Sequence, residues 1–503
     1  MGRAVKTLRR WLYLGHRWLG ILTCLLFAIW FVSGVVMIYV GFPGLSEVER
    51  RAGLPALDWG AVRVTPTRAL EVAGAERFPR DLRLVMLDAE PVYRITEWSG
   101  ARRTVSAADG HPIAKVGEDE AVRVAGHDPR ASHPRIADRV ERDQWTVTAR
   151  YDPLRPFHLV ALNDAAGTNL YVSARTGEVA LDTTRTERVW NWLGAIPHWI
   201  YLTPLRAQAE LWRDVVLWVS GVSIAAAVSG FWIGILRVRP RRGYGHGRAS
   251  PYRGWAAWHH WAGLVGGLTL ITFIVSGWLS MNPNRWFGPR APTPAMLERY
   301  AGATVPRLDL DLAQVRAATC PDAVEVRLGH LDGRSLAVTA CRDGRAIPCC
   351  TADALSPERV AGAARHLMPE ADAPTLALLS EEDAYWYAHH QPRRLPVLRV
   401  RFADPDATWF HIDPGTGEIL NRMDRSARAY RWLFNGLHTL DFGALLRHRP
   451  VWDVLVWLLS AIGLVTSVSG VVIGWRRLGA TRPRRRLARG EAASGGARPA
   501  DAA

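Results

Sequence analysis

The sequence predicts an all-α membrane bundle of four helices in two pseudo-symmetric halves, with two external α+β domains inserted between the spans. Three observations predict it: an internal repeat, four apolar runs without charge, and basic residues gathered on one side of those runs. Gly15-His16-Arg17-Trp18-Leu19-Gly20 is echoed by His259-His260-Trp261-Ala262-Gly263, and Val32-Ser33-Gly34 by Val275-Ser276-Gly277, at a constant offset of 243 residues. Thr176-Gly177-Glu178, Trp192-Leu193, His198, Trp212 and Ser229-Gly230 recur at Thr416-Gly417-Glu418, Trp432-Leu433, His438, Trp452 and Ser469-Gly470, at an offset of 240.

Residues 18–40, 215–236, 261–281 and 454–475 carry no charged side chain. Each reaches the length of about 20 residues that a helix needs to cross a bilayer. A soluble helix that long carries charge along one face. The first run could be taken for a secretion signal, but it is long, lacks a clear small-x-small cleavage site and matches the third run, so a retained helix is expected. Arg3, Lys6, Arg9 and Arg10 precede the first run, Arg237, Arg239, Arg241, Arg242, Arg248 and Arg253 fill the middle loop, and Arg476, Arg477, Arg482, Arg484, Arg485 and Arg486 follow the last. Cytoplasmic flanks collect such residues, so a bacterial inner-membrane protein with both termini in the cytoplasm is expected. Much of the net charge of +16 lies there. Anionic membrane lipid accounts for it, and no nucleic-acid partner is expected.

The expected divisions are 1–41 (flank and first span), 42–185 (first external domain), 186–237 (interfacial helix and second span), 238–256 (Arg-rich loop), 257–281 (third span), 282–425 (second external domain), 426–476 (interfacial helix and fourth span) and 477–503 (a disordered cytoplasmic tail). Each external segment is long enough to form its own small core. Alternating runs broken by Asp-Gly or Thr-Gly at 103–113, 169–179 and 409–419 are hairpin signals. Residues 311–319 and 356–368 read as helices. Cys24 lies in the first span, whereas Cys320, Cys341, Cys349 and Cys350 share the second external segment, where one or two structural disulfides are expected in any of three pairings.

The opening His-x-Trp-x-Gly helix, and strands ending in Thr-Gly-Glu followed by Trp-Leu and a His before the next span, resemble the PepSY-associated transmembrane proteins from about Leu8 to Leu478. That family includes iron-regulated inner-membrane proteins and haem-containing ferric-siderophore reductases. The resemblance implies four spans, two periplasmic PepSY-like domains, and b-type haem bound through histidines in or near the helices.

Of the 16 histidines, the four that repeat stand out. His16 and His259 lie at the cytoplasmic ends of the first and third spans, each followed by Trp and then Gly; His198 and His438 precede the second and fourth in aromatic-rich segments, 190–199 and 430–438, that read as interfacial helices. An ionisable group in or near a span is costly without a partner and is a functional hypothesis by default. Ligation of haem iron would supply that partner, with Gly20, Gly263, Gly266 and Gly267 leaving room for a flat macrocycle. Adjacent His260, aligned with Arg17, points about 100° away from His259 on a helix and is held as a replacement ligand or a propionate contact. His16 to Ser33 spans about 25 Å of helix, so two haems are expected, one at each face. His111, His127, His133, His158, His330, His366 and His411 lie in polar stretches where solvent or local hydrogen bonds satisfy them, as does His246 in the Arg-rich loop. His389-His390, with Tyr385, Trp386, Tyr387, Arg393, Arg394, Arg399 and Arg401 nearby, forms a substrate-side candidate set.

No nucleotide, nicotinamide, flavin or iron–sulfur motif is visible, nor a G-x-S-x-G or H-E-x-x-H pattern. Electrons must then come from a separate cytoplasmic or membrane donor, and the expected activity is reduction of a periplasmic ferric siderophore or other ferric chelate. A non-enzymatic scaffold that binds a periplasmic partner is the alternative. A transporter is less well supported, because the spans show no sign of breaks or buried carboxylates.

Overall fold

The computed structural model describes residues 3–241, 243–349, 355–389 and 392–480; Cys350, His390 and the expected tail from 481 on lie outside these, while 477–480 continue the last helix and are not part of a disordered tail. Among the described residues three helices are long and apolar enough to cross a membrane: α1 (Arg3–Tyr39), α2 (Ala209–Arg237) and, after the bent pair below, α5 (Arg449–Ala480). The third predicted run is not one straight helix. It forms α3 (Trp255–Val265) and α4 (Gly267–Ser280), bent by 66°. The break falls at Gly266-Gly267, where two poor helix formers adjoin. A Cβ at Gly266 would meet Ile462 Cγ2 at 2.5 Å, and one at Gly267 would run into the Phe231 ring. These glycines serve close helix packing, so the reading of them as space for a macrocycle is corrected, as is the reading of four unbroken spans.

The helices pack in an exchanged pattern. α1 lies against both α2 and α5, α3 against α5, and α4 against α2. Small hydroxyl residues line these contacts, with Ser33, Ser220, Ser223, Ser276, Thr466, Ser467 and Ser469 all buried. Such residues let helix backbones approach closely. Ser33, Ser276 and Ser469 each donate to the carbonyl four residues back on their own helix, which satisfies their protons.

The remaining chain forms antiparallel sheets. The first segment contributes β1 (Asp81–Leu87), β2 (Glu90–Thr96), β3 (Arg102–Ser106), β4 (Pro112–Ile113), β5 (Arg135–Val140), β6 (Phe157–Ala161), β7 (Asn169–Ser173) and β8 (Val179–Thr183). The second contributes β9 (Ala323–Leu331), β10 (Arg334–Cys341), β11 (Ala346–Cys349), β12 (Thr375–Leu379), β13 (Val397–Arg401), β14 (Trp409–Ile412) and β15 (Ile419–Met423). The three hairpin signals correspond to β3–β4, β7–β8 and β14–β15. The two helical readings correspond to Leu312–Ala318 and Pro357–Arg365.

Each segment holds a core of its own, around Val85, Val160 and Val172 in the first and Val360, Val400 and Phe410 in the second, and one pairing adds a core that the two share. β1 pairs with β9, so a single seven-stranded sheet runs β11-β10-β9-β1-β2-β3-β4 through both segments. Arg83 faces Arg327 and Leu84 faces Val326, pairs that bracket the repeat offset and put the pseudo-dyad through this seam. Left apart, each half would expose the unpaired edge of its most apolar strand. One core joins Leu70, Leu82, Leu84 and Tyr93 to Leu308, Val315, Val326 and Leu328. Buried Glu325 is held there by Arg50, Arg51 and Arg83, which keep its carboxyl below the usual range although burial pushes the other way. The Cys320–Cys341 disulfide ties the start of β9 to the end of β10. Two four-stranded sheets, β5-β6-β7-β8 and β12-β13-β14-β15, repeat on either side.

Candidate functional site

The repeated histidines come from two kinds of backbone. His16 lies within α1 and His259 within α3. His198 ends a short helix, Ala195–His198, reached through Arg185–Asn191, whose first turn is closed by a reciprocal Thr184–Glu187 capping box. His438 follows the helix Arg425–Tyr430, capped by Asp424, and a wide π-helical turn over Arg431–Gly436.

The four rings meet as two pairs. His16 and His259 have ring centres 6.3 Å apart at an interplanar angle of 34°, and His198 and His438 stand 6.2 Å apart at 73°. Each ring is gripped through Nδ1 by a neighbouring helix. His16 Nδ1 donates to Ala226 O at 3.2 Å and lies 3.3 Å from Ser229 Oγ. His259 Nδ1 makes the corresponding contacts to Thr466 O at 2.8 Å and Ser469 Oγ at 3.3 Å. His438 Nδ1 reaches Phe273 O at 3.0 Å and Ser276 Oγ at 3.1 Å, and His198 Nδ1 reaches Ser33 Oγ at 3.1 Å and the Trp30 carbonyl. A carbonyl only accepts, so each Nδ1 carries the proton and each Nε2 is left with a free lone pair.

The glycine after each serine completes the grip. A Cβ at Gly230, Gly470, Gly34 or Gly277 would meet Cε1 of His16, His259, His198 or His438 at 2.5, 3.2, 3.3 and 3.3 Å respectively. Sequence reasoning misses these eight serines and glycines as site residues. A signal exists, because Val-Ser-Gly occurs in all four apolar runs, at 32–34, 228–230, 275–277 and 468–470. No family model matches this chain, and no curated protein matches it.

A cavity of about 640 Å³ surrounds the second pair. Its walls include His198 and His438, Phe27, Trp30 and Phe31 of α1, and Arg206, Trp212, His389 and Trp452. A volume of this size falls in the range of cofactor and ligand pockets.

His260 is not interchangeable with His259. It is buried, with Nδ1 2.8 Å from Ser250 Oγ and Nε2 3.0 Å from Gly234 O, so both nitrogens are engaged in tying the middle loop to α2. Among the substrate-side candidates, His389 lines the cavity, with Nδ1 2.8 Å from Oδ1 of buried Asp441, which also accepts from Tyr387 and Thr439. Tyr385 and Arg393 do not line it. The Tyr385 ring packs on Trp409, and Arg393 donates to the Tyr387 carbonyl and lies over Trp386. Arg394 pairs with Asp413 and Glu418, and Arg401 stacks on Trp409.

Arg399 and His411 form a separate buried network. Arg399 Nε donates to His411 Nε2 at 2.7 Å, its terminal nitrogens pair with Asp383, and His411 Nδ1 donates to Asn421 Oδ1 at 2.6 Å with Trp386 stacked on the ring. Burial, with the Arg399 charge adding to it, holds His411 down at about 4. Burial works to raise Asp383, but hydrogen bonds from Arg399 and the amides of Tyr385 and Trp386 bring it to about 2. Of the two settings expected for His411, solvent or local hydrogen bonds, it takes the second, fully buried.

Proposed function

We propose that this chain is a four-span inner-membrane protein of the PepSY-associated type, with its sheets in the periplasm, whose two histidine pairs hold two b-type haems. In this reading it passes electrons from a separate cytoplasmic-side donor to a periplasmic acceptor, a ferric siderophore or another ferric chelate. The observation that carries the proposal is the spacing within the pairs. A metal–imidazole bond of about 2.0 Å plus about 1.1 Å from Nε2 to the ring centre, counted on both sides of one metal, separates two ring centres by about 6.2 Å. The observed separations are 6.3 and 6.2 Å.

The tautomer supports the same reading. A ligating histidine gives its other ring N–H to a carbonyl or hydroxyl that fixes its orientation, and all four rings do so. His16 with His259, and His198 with His438, would hold the haem iron, which would supply a one-electron couple suited to electron transfer. The serines hold the imidazole protons on Nδ1, the glycines let the Nδ1–Cε1 edges of the rings approach the helices, and Phe27, Trp30 and Phe31 keep water from the second site.

Exposed tryptophans support the membrane placement. Trp11, Trp18, Trp232, Trp258 and Trp475 gather at the Arg-rich end of the helices, and Trp190, Trp192, Trp218, Trp432 and Trp457 at the sheet end. Two such belts mark the two interfaces of a spanning protein. The test is the absorption spectrum of the purified full-length chain from haem-replete cells, with haem counted chemically. Low-spin b-type bands at two haems per chain are expected, with one lost in His16→Ala and the other in His438→Ala. A colourless preparation would overturn the haem reading and leave the scaffold alternative.

A further inference from the structure

The cavity around His198 and His438 contains one guanidinium that no acid neutralises. Arg206 lines it immediately before α2, its charge lying 4.4 Å from the centre of the Trp212 ring and 5.2 Å from that of Tyr201. Among the described residues no Asp or Glu stands in the cavity walls beside it, and its Nε–H is buried without a hydrogen-bond partner. Stacking alone accounts for the two ring contacts. It leaves the buried N–H unexplained, and an unmade bond of that kind is costly. The repeat does not dictate the charge either, since Leu446 stands at the corresponding position of the second half.

We infer that Arg206 is the carboxylate anchor of this cavity, donating Nε–H and one terminal N–H to an acid group of the planar macrocycle held between His198 and His438. A guanidinium matches a carboxylate with two parallel hydrogen bonds, which a lysine cannot do. The anchor would turn the acidic edge of the macrocycle towards the start of α2. The inference rests on the haem reading above.

The test uses full-length protein in detergent carrying His16→Ala, so that only the second site remains, stripped and titrated with haem and with haem dimethyl ester. Arg206 intact, haem should bind at least about tenfold more tightly than its ester; Arg206→Leu should bind both within about threefold, and Arg206→Lys should recover part of the preference. Equal binding of haem and ester with Arg206 intact, or a full preference surviving in Arg206→Leu, overturns the inference while leaving the pairing in place. Failure to bind either porphyrin overturns both. Free citrate in a parallel titration covers the other source of carboxylate: if it blocks an Arg206-dependent signal without altering the haem-over-ester ratio, the anchor serves the chelate and the inference fails.

Discussion

The His16–His259 pair stands on helices that carry it rigidly, whereas the His198–His438 pair hangs on short segments between a sheet and a helix, yet both are held the same way. What the two pairs share is the partner across the gap, a Ser-Gly step facing Nδ1 and Cε1. The backbone that delivers the ring is therefore less decisive than the helix that receives it. The rings differ in slack, and His16 is the tight one, since its partner His259 has 3.2 Å at Gly470. A methyl group at Gly230 would sit 2.5 Å from His16 Cε1, but at Gly34 and Gly277 it would sit 3.3 Å from the rings it meets.

The largest expected effect tests that slack. Gly230→Ala should displace the His16 ring and reduce haem content from two per chain to one, because an aromatic ring packed on a helix has nowhere to retreat. Gly34→Ala and Gly277→Ala should retain both haems, since a contact of 3.3 Å is relieved by a shift of a few tenths of an ångström. Chemical haem counting on the three purified variants decides it. Equal haem loss in all three would mean that the His198 and His438 rings have no more room than His16.

The same contrast explains what is legible in the sequence. Constant offsets single out the residues that face each other in the fold, so the chain alone suffices to pair His16 with His259 and His198 with His438. Choosing between His259 and His260 requires knowing where Gly234 O and Ser250 lie, which no periodicity encodes. The β1–β9 seam is hidden for a similar reason. Leu84 and Val326 are apolar in any sheet, and nothing in either strand names its partner. The bend at Gly266 depends on Ile462, far away in α5, and burial of His411 depends on Arg399, which the sequence places in the substrate-side set. Repeats reveal equivalence, and equivalence becomes contact only where a dyad passes close by.

A smaller effect sharpens the comparison through the serines. Ser33 and Ser276 approach Nδ1 at 3.1 Å, against 3.3 Å for Ser229 and Ser469. Accepting the Nδ1 proton makes the imidazole a stronger donor to a metal and favours its oxidised state. Loss of one such bond, worth about 1 kcal/mol, should raise a one-electron potential by about 40 mV. Both variants keep a carbonyl acceptor, Phe273 O for His438 and Ala226 O for His16, so each shift should stay below that value, with Ser276→Ala, which loses the shorter serine contact, moving its haem more than Ser229→Ala. Spectroelectrochemical titration of each variant resolves the two midpoints. A larger shift for Ser229→Ala would reverse the assignment of the tighter grip.

The smallest expected effect separates the two sheet regions by acid. Tyr171 in the first half stands at the repeat position of His411 in the second, and it donates to Asp143, where His411 instead accepts from Arg399. The folded protein holds His411 at about 4, below the value near 6.5 of an unfolded chain. The unfolded state therefore binds more protons between those values, so this contribution is complete above about pH 6.5 and is lost as pH falls towards 4. The slope cannot exceed about 1.4 kcal/mol per pH unit for one group. Asp383, held at about 2, adds its own loss only below about pH 4, in the same direction. Amide exchange between pH 6.5 and 4, corrected for intrinsic rates, should show β13 and β14 losing protection while β6 and β7 hold theirs. His411→Gln, which can still accept from Arg399 and donate to Asn421, should flatten the response of β13 and β14. If both halves lose protection together in that variant, the acid sensitivity belongs to the shared seam and not to this residue.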